Sequence, residues 1–479
     1  MSSEPSIKKQ RGKEAAADLD RAFTSVAGLA EGLATGRWSS VELTSFFLSR
    51  LRRIGPSLNA VAALTEESAL EAARRADAER RSGILRGPLH GIPYAAKDLL
   101  DTKGVRTTWG SRLFKDHVPN ADATAIVRLA DAGAILVAKL SMVELAGGAG
   151  YRFASASLQG PGKNPWNTAR WTGGSSSGSG AAVAAGLVPF AIGSETWGSI
   201  VCPSSYCGIA GLRPTYGRVS RHGTMPLCFT LDKLGPLAHS ASDLGTILAA
   251  MAGPDPEDPS TLPSPWTPAP VPERLRIGVL PEKSWKGYQA EAVTESGKAL
   301  KILEGKGHRL VEVELPDFPF DAVLTTILFS ETAATFEPLV RSGKHLELID
   351  PLSKTGLLSA STIPAADYVN AMRRRHLAGK EMAALFAKVD VLAGPSFPST
   401  ASPLEANLET WYALPVDPLG APGNLCGLPA VSVPCGFDKD AMPLGLCFMG
   451  PAGGESLVLA AAAAYQKDTN WHTRRPPAA

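Results

Sequence analysis

Residues 173–200 read GGSSSGSGAAVAAGLVPFAIGSETWGSI. Glycine and serine alone fill 173–180, and an alanine-rich run, a short apolar segment and a second turn of small residues follow. Three simple readings of the run fail. A Walker loop needs Lys and then Ser or Thr after its last glycine, but Gly180 precedes Ala181 and Ala182. A dinucleotide fingerprint starting at Gly178 needs glycine at 183, where Val183 stands. A nucleophile elbow, with Ser176 at the centre of Gly174–Gly178, must follow a buried strand. The preceding KNPWNTARWTG is polar and broken by Pro165. A flexible linker would join independent units, yet this run opens a helix that leads into a strand. Ordered Gly and Ser at a helix start expose backbone N–H groups and small hydroxyls, which suits a reactive centre.

Outward from this stretch the chain alternates. Upstream, SSVELTSFFLSRLRRIG and TEESALEAARRADAERRSG read as helices closed by Gly55 and Gly83. GIPYAAKDLLD reads as a strand, DATAIVRLADAG as a helix capped by Asp122 and stopped by Gly133, and AILVAKL as a short buried strand. SGAAVAAGLV is then a helix and PFAIGSE a strand. This rhythm predicts an α/β core with much parallel sheet. Downstream, GPDPEDPSTLPSPWTPAPVPE over 253–273 reads by composition as a linker. LRIGVL, HRLVEVEL, VDVLAGP, PAVSVPCG and PLGLCFMG resume the strands, 320–388 is mostly helical, and ESLVLAAAAAYQ is the last helix.

The chain has 479 residues, a length that by itself suggests two or three domains. With 48 basic and 46 acidic side chains interspersed, no basic stripe marks a nucleic-acid surface. The one basic cluster, KKQRGK at 8–13, lies in a polar arm over 1–20 that reads as flexible and solvated. No secretory h-region follows it and no apolar run is long enough to span a bilayer, so the expected location is the cytoplasm. The six cysteines form no CxxC pair and no zinc-spaced cluster, and read as free thiols in a reducing compartment.

The whole stretch 173–200 resembles the amidase signature family, with its Gly/Ser segment and its second serine in a GGSI-like turn. GPLHGIPYAAKD at 87–98 matches that family's GPLHGIPxxxKD. KLSMVELA, GLRPTYGRVS, LDKLGPLAHSASD, ADYVNAMRRR and NLCGLPAVSVPCGF extend the match from about residue 40 to the C-terminus. The resemblance implies one domain over 21–479, a single large twisted mixed β-sheet covered by helices on both sides. The 253–273 stretch then becomes an internal loop, and the helical 320–388 lies near the substrate pocket.

It also implies a chemistry. Ser199 matches the nucleophile, Ser175 the bridging serine with a cis peptide bond to Gly174, and Lys97 the base. Free lysine is protonated at neutral pH, and burial disfavours the charged form enough to make it a base. Lys97 ends the apolar GIPYAA, which suits burial, and Asp98 alternates to the other face. The main-chain N–H groups of Thr196, Trp197, Gly198 and Ser199 would form the oxyanion hole. Ala146 and Gly148, in the loop after Glu144, and the Trp197 indole would line the substrate site. No metal and no cofactor are needed. The expected partners are a small-molecule amide alone, with no nucleic acid and no membrane, and a monomer or homodimer.

The second turn departs from the family's usual GTDTGGSIR: Glu195 stands for Asp, Trp197 for Gly and Val201 for Arg. The charged network around Glu195 must therefore be built differently. The leading function is hydrolysis of a small apolar or aryl amide, with carbamates and esters as further candidates. The alternative is the amidase-type subunit of a tRNA-dependent amidotransferase. A non-catalytic scaffold conflicts with the intact Lys97, Ser175 and Ser199, and a Ser-His-Asp esterase on Ser176 lacks its strand. His90 reads as structural, and the other histidines form no spaced set.

Overall fold

The structure is a computed structural model, described over residues 18–411 and 417–479. Residues 1–17 of the expected N-terminal arm lie outside the described residues, and 18–22 are helical. The strands are β1 (Val61–Leu64), β2 (Pro93–Lys97), β3 (Ile135–Leu140), β4 (Lys163–Asn164), β5 (Asn167–Trp171), β6 (Phe190–Glu195) and β7 (Ala210–Arg213). There follow β8 (Lys233–Ala238), β9 (Arg276–Val279), β10 (Arg309–Glu312), β11 (Val391–Pro395), β12 (Ala430–Phe437) and β13 (Pro443–Met449). Eleven of them form one mixed sheet in the order β1-β3-β2-β6-β8-β7-β12-β13-β11-β9-β10, and β4 and β5 make a separate hairpin.

The expectation of much parallel sheet needs correction. Parallel pairing holds for β3-β2-β6 and for β11-β9-β10. The middle of the sheet, β6-β8-β7-β12-β13-β11, is antiparallel throughout. Alternation of apolar segments does not tell these apart, because every residue of β2, β6, β7, β8, β11 and β13 is buried. Strands covered on both faces read as continuous apolar runs whatever their direction.

The proline-rich 253–273 follows the helix Ala241–Met251 and precedes β9. The sheet runs across it: β9 joins β11, whose neighbour β13 pairs with β12, and β12 lies against β7. The helices Phe320–Thr335 and Ala365–Phe386 occupy most of the helical stretch between β10 and β11. One sequence-level cap is wrong. The helix Thr124–Asp131 has Ala123 at its N-cap with no side-chain bond, and Asp122 instead accepts the Lys103 N–H at 2.7 Å.

Small residues let the Gly/Ser helix, Ser177–Ala184, sit fully buried. A Cβ at Gly178 would lie 2.5 Å from both the Ala60 carbonyl oxygen and the Ser141 nitrogen. Glycine is thus required there by close approach of backbone to backbone. The serines of the run find buried acceptors: Ser179 Oγ donates to the Ile192 carbonyl at 3.2 Å, and Ser176 Oγ to the Ser194 carbonyl at 3.1 Å.

Candidate active site

The parallel pair β2 and β6 sets the site. Ala95 and Ala96 pair with Ala191 and Ile192, so the two strands end together, with Lys97 closing one and Ser194 and Glu195 closing the other. β6 is also where pairing changes from parallel to antiparallel. Open α/β sheets bind ligands in the crevice outside the carboxyl ends of their strands, and Lys97, Ser194 and Glu195 stand at those ends.

Three of the residues named from sequence meet there. Lys97, with no exposed surface, donates from Nζ to Ser175 Oγ at 2.7 Å, and Ser175 Oγ donates to Ser199 Oγ at 3.1 Å. The Gly174–Ser175 peptide bond is cis. Sequence reasoning missed Ser194, whose hydroxyl accepts a second Lys97 N–H at 2.9 Å. Ser176 brackets that residue, accepting the Ser194 N–H at 3.3 Å while donating to its carbonyl. Its hydroxyl is thus committed to bracing β6.

Burial lowers the Lys97 pKa to about 7, against the opposing pull of the Asp232 and Glu195 carboxylates. A substantial fraction of Lys97 is then neutral at ordinary pH. In that state the hydroxyl hydrogens can turn, so that Ser199 donates to Ser175 and Ser175 to Lys97. Asp98 points to a different set of partners, accepting from Thr108 Oγ1 at 2.5 Å and lying 3.5 Å from Lys139 Nζ.

The turn 196–199 joins β6 to the helix Val201–Cys207. It is tied from several directions. Thr196 Oγ1 donates to Asp232 Oδ1 at 2.5 Å, and the other Asp232 oxygen accepts the Leu227 and Cys228 N–H groups. The buried Lys233 donates to the carbonyls of Thr196 and Leu231. Glu195 accepts the N–H groups of Ile200 and Val201 at 2.8 and 3.0 Å with one oxygen, and pairs with Arg213 at 2.8 Å with the other. Arg213 therefore supplies the cation that position 201 lacks. Its signal was present in GLRPTYG, but only the contact of Arg213, at the end of β7, with Glu195 gives it meaning.

A cavity of about 370 Å³ opens beside Gly174 and Gly198. Its walls are Tyr151, Trp171, Trp197, Phe397, Pro398 and Cys202, with the carboxyls of Asp321 and Asp417. The Trp197 indole faces this space and donates from Nε1 to Asp417 Oδ2 at 2.7 Å. Burial raises the pKa of Asp417; burial and the nearby Asp417 raise that of Asp321. The cavity is not lined by Ala146 or Gly148. Their tight turn has left-handed Leu145 and Ala146, and approaches the pocket through Tyr151 instead. Glu144 at its start is held by Ser111 Oγ at 2.6 Å and the Ile349 N–H at 2.7 Å. His90 sits away from this centre, 3.1 Å from Glu79.

The amidase family model matches residues 42–459. A glutamyl-tRNA(Gln) amidotransferase subunit from Chloroflexus aggregans is 37% identical over 483 residues, covering 95% of this chain and 98% of that protein. The subunit of the same name from Azoarcus sp. is 38% identical, covering 94% of this chain and 99% of that protein. Among solved structures, native peptide amidase from Stenotrophomonas maltophilia superposes with a TM-score of 0.82 at 32% identity, covering 95% and 98% of the two chains. These relatives overturn the expected partners. A small-molecule amide alone, without nucleic acid and with only a monomer or homodimer, does not fit relatives named as subunits of an enzyme of glutamyl-tRNA.

Proposed function

The chain belongs to the amidase family and is an enzyme of amide C–N bonds, and on that premise we propose that it cleaves an amide by acylation of Ser199, as the amidase-type subunit of an amidotransferase assembly. The observation that carries the chemistry is the hydrogen-bonded series Lys97–Ser175–Ser199 beside a cavity. Full-length similarity to the two amidotransferase subunits supports the assembly.

In this reading Ser199 Oγ attacks the amide carbonyl carbon. Its proton passes to Ser175 Oγ, whose own proton passes to neutral Lys97 Nζ. The carbonyl oxygen gains negative charge and is met by main-chain N–H groups of the 196–199 turn, where one donor is worth about 3–4 kcal/mol of barrier. As the tetrahedral intermediate collapses, the C–N bond breaks. The proton returns through Ser175 to the departing nitrogen, leaving an acyl ester on Ser199. Water, activated by the same route, then releases the acid and frees the serine. Ser194 keeps the Lys97 amine aimed at Ser175 throughout.

A second reading, a hydrolase of apolar or aryl amides, is favoured by the aromatic walls Tyr151, Trp171, Trp197 and Phe397. One experiment separates the two. Ammonia release from glutamine and amine release from an anilide are followed with the chain alone, then with the other subunits of a glutamyl-tRNA(Gln) amidotransferase and its tRNA. Glutamine cleavage that depends on the added components supports the assembly reading. Anilide turnover by the chain alone, indifferent to them, supports the second. No cleavage under any condition refutes both.

A further inference from the structure

We propose that the buried Glu195–Arg213 ion pair is a positioning element for the reaction, fixing the nucleophile turn from beneath and setting the electrostatic field at Lys97. The inference rests on the reading of Ser199 as nucleophile.

Glu195 has no exposed surface and is the last residue of β6. Its Oε2 accepts the N–H groups of Ile200 and Val201, residues just beyond the turn. A single carboxylate oxygen thus ties the strand that enters the turn to the helix that leaves it, with Ser199 between. Its Oε1 is held by Arg213 Nη1. Arg213, 2% exposed, closes β7 and donates from Nε to the Leu428 carbonyl at 2.9 Å. The turn is therefore anchored through Arg213 to the segment that leads into β12. Removing Glu195 leaves the Arg213 charge buried without its carboxylate, and removing Arg213 leaves Glu195 with Lys233 as its remaining cation.

The same pair lies within the field of the base. Asp232 and Glu195 are the carboxylates that act on Lys97, and both favour its ammonium form. Lys233 and Arg213 are the cations that act on Glu195. The sign of each substitution follows. Glu195→Gln removes an anion, so the Lys97 ammonium loses support and its pKa falls. Arg213→Met removes the cation that offsets Glu195, so the pKa of Lys97 rises. A merely structural role would not move the two variants in opposite directions.

The test uses the full chain and a fluorophosphonate, reading the rate of Ser199 labelling against pH, with near-UV circular dichroism to establish folding. We expect the maximal labelling rate to fall about 10–100-fold in both variants, as for a misplaced reactive group. The acid limb should move by about half a pH unit or more, downward in Glu195→Gln and upward in Arg213→Met. Folded variants with the wild-type maximal rate, or with limbs that stay put or move together, would overturn the proposal. If either variant does not fold, Arg213→Lys decides, since it keeps the cation and loses the two-pronged grip. A lowered maximal rate with an unmoved limb supports the pair, and a wild-type rate overturns it. A wild-type chain that is not labelled at Ser199 defeats the nucleophile reading instead.

Discussion

Lys97 shows how far a single residue can be read. Its place at the end of an apolar strand foretold burial, and the structure gives it no exposed surface. Because burial lowers its pKa to about 7, the base form grows as pH rises through that value. Activity should therefore be low below about pH 6 and level off above about pH 8, one unit to either side of the midpoint. Lys97→Arg should lose several orders of magnitude and show no recovery up to about pH 10, because guanidinium stays protonated. A Lys97→Arg enzyme with wild-type turnover would exclude lysine as the base. Ser194, its second partner, was invisible beforehand, since a serine in a buried strand has no pattern of its own.

Trp197 was legible only in part. Its replacement of glycine flagged the pocket, and the indole does line the cavity. Its bond to Asp417 could not be foreseen, because the two are 220 positions apart. Aromatic stacking is worth about 0.5–1.5 kcal/mol beyond area burial. Trp197→Gly should accordingly lower the ratio of kcat/KM for an anilide over a short aliphatic amide about threefold to tenfold. An unchanged ratio in a folded, active variant would remove Trp197 from the determinants of specificity.

At the scale of elements, patterns of small residues and the glycine stops at Gly55, Gly83 and Gly133 were read well, and the N-cap at Asp122 was not. The Gly/Ser run opens a buried helix because its glycines admit neighbouring backbone and its serines find carbonyl acceptors. Asp122 was misread as a cap because its carboxylate bonds a distant loop, a contact set by tertiary packing. Gly178 carries the sharpest element-level prediction. Gly178→Ala forces a Cβ against the Ala60 and Ser141 backbone, so stability should drop by about 1–3 kcal/mol, read by urea unfolding. Labelling of Ser199 should also slow, since the same segment holds Ser175. Unchanged stability would mean that the approach is looser than it looks.

For the whole molecule, the resemblance in short motifs carried the architecture better than length or composition did. Length argued for several domains and 253–273 looked like a linker, yet the sheet continues from β7 through β12, β13 and β11 to β9 on its far side. A proline-rich loop and a linker share one composition, and only strand pairing distinguishes them. Strand direction was likewise hidden, because the central strands are buried on both faces. Partners were the furthest from view. Surface charge describes one chain, and the pointer to partners came instead from relatives named as amidotransferase subunits.

The central claim is that Ser199 attacks the amide and is left as an acyl ester, its proton having passed through Ser175 to Lys97. The most direct measurement is peptide mapping by mass spectrometry after reaction of the full chain with a fluorophosphonate at about pH 8, where Lys97 is mostly neutral. The account predicts one adduct per chain, on Ser199, lost in Ser199→Ala and formed slowly in Lys97→Ala. An adduct on Ser176 that persists in Ser199→Ala, or no adduct in an enzyme that still cleaves amides, would contradict it.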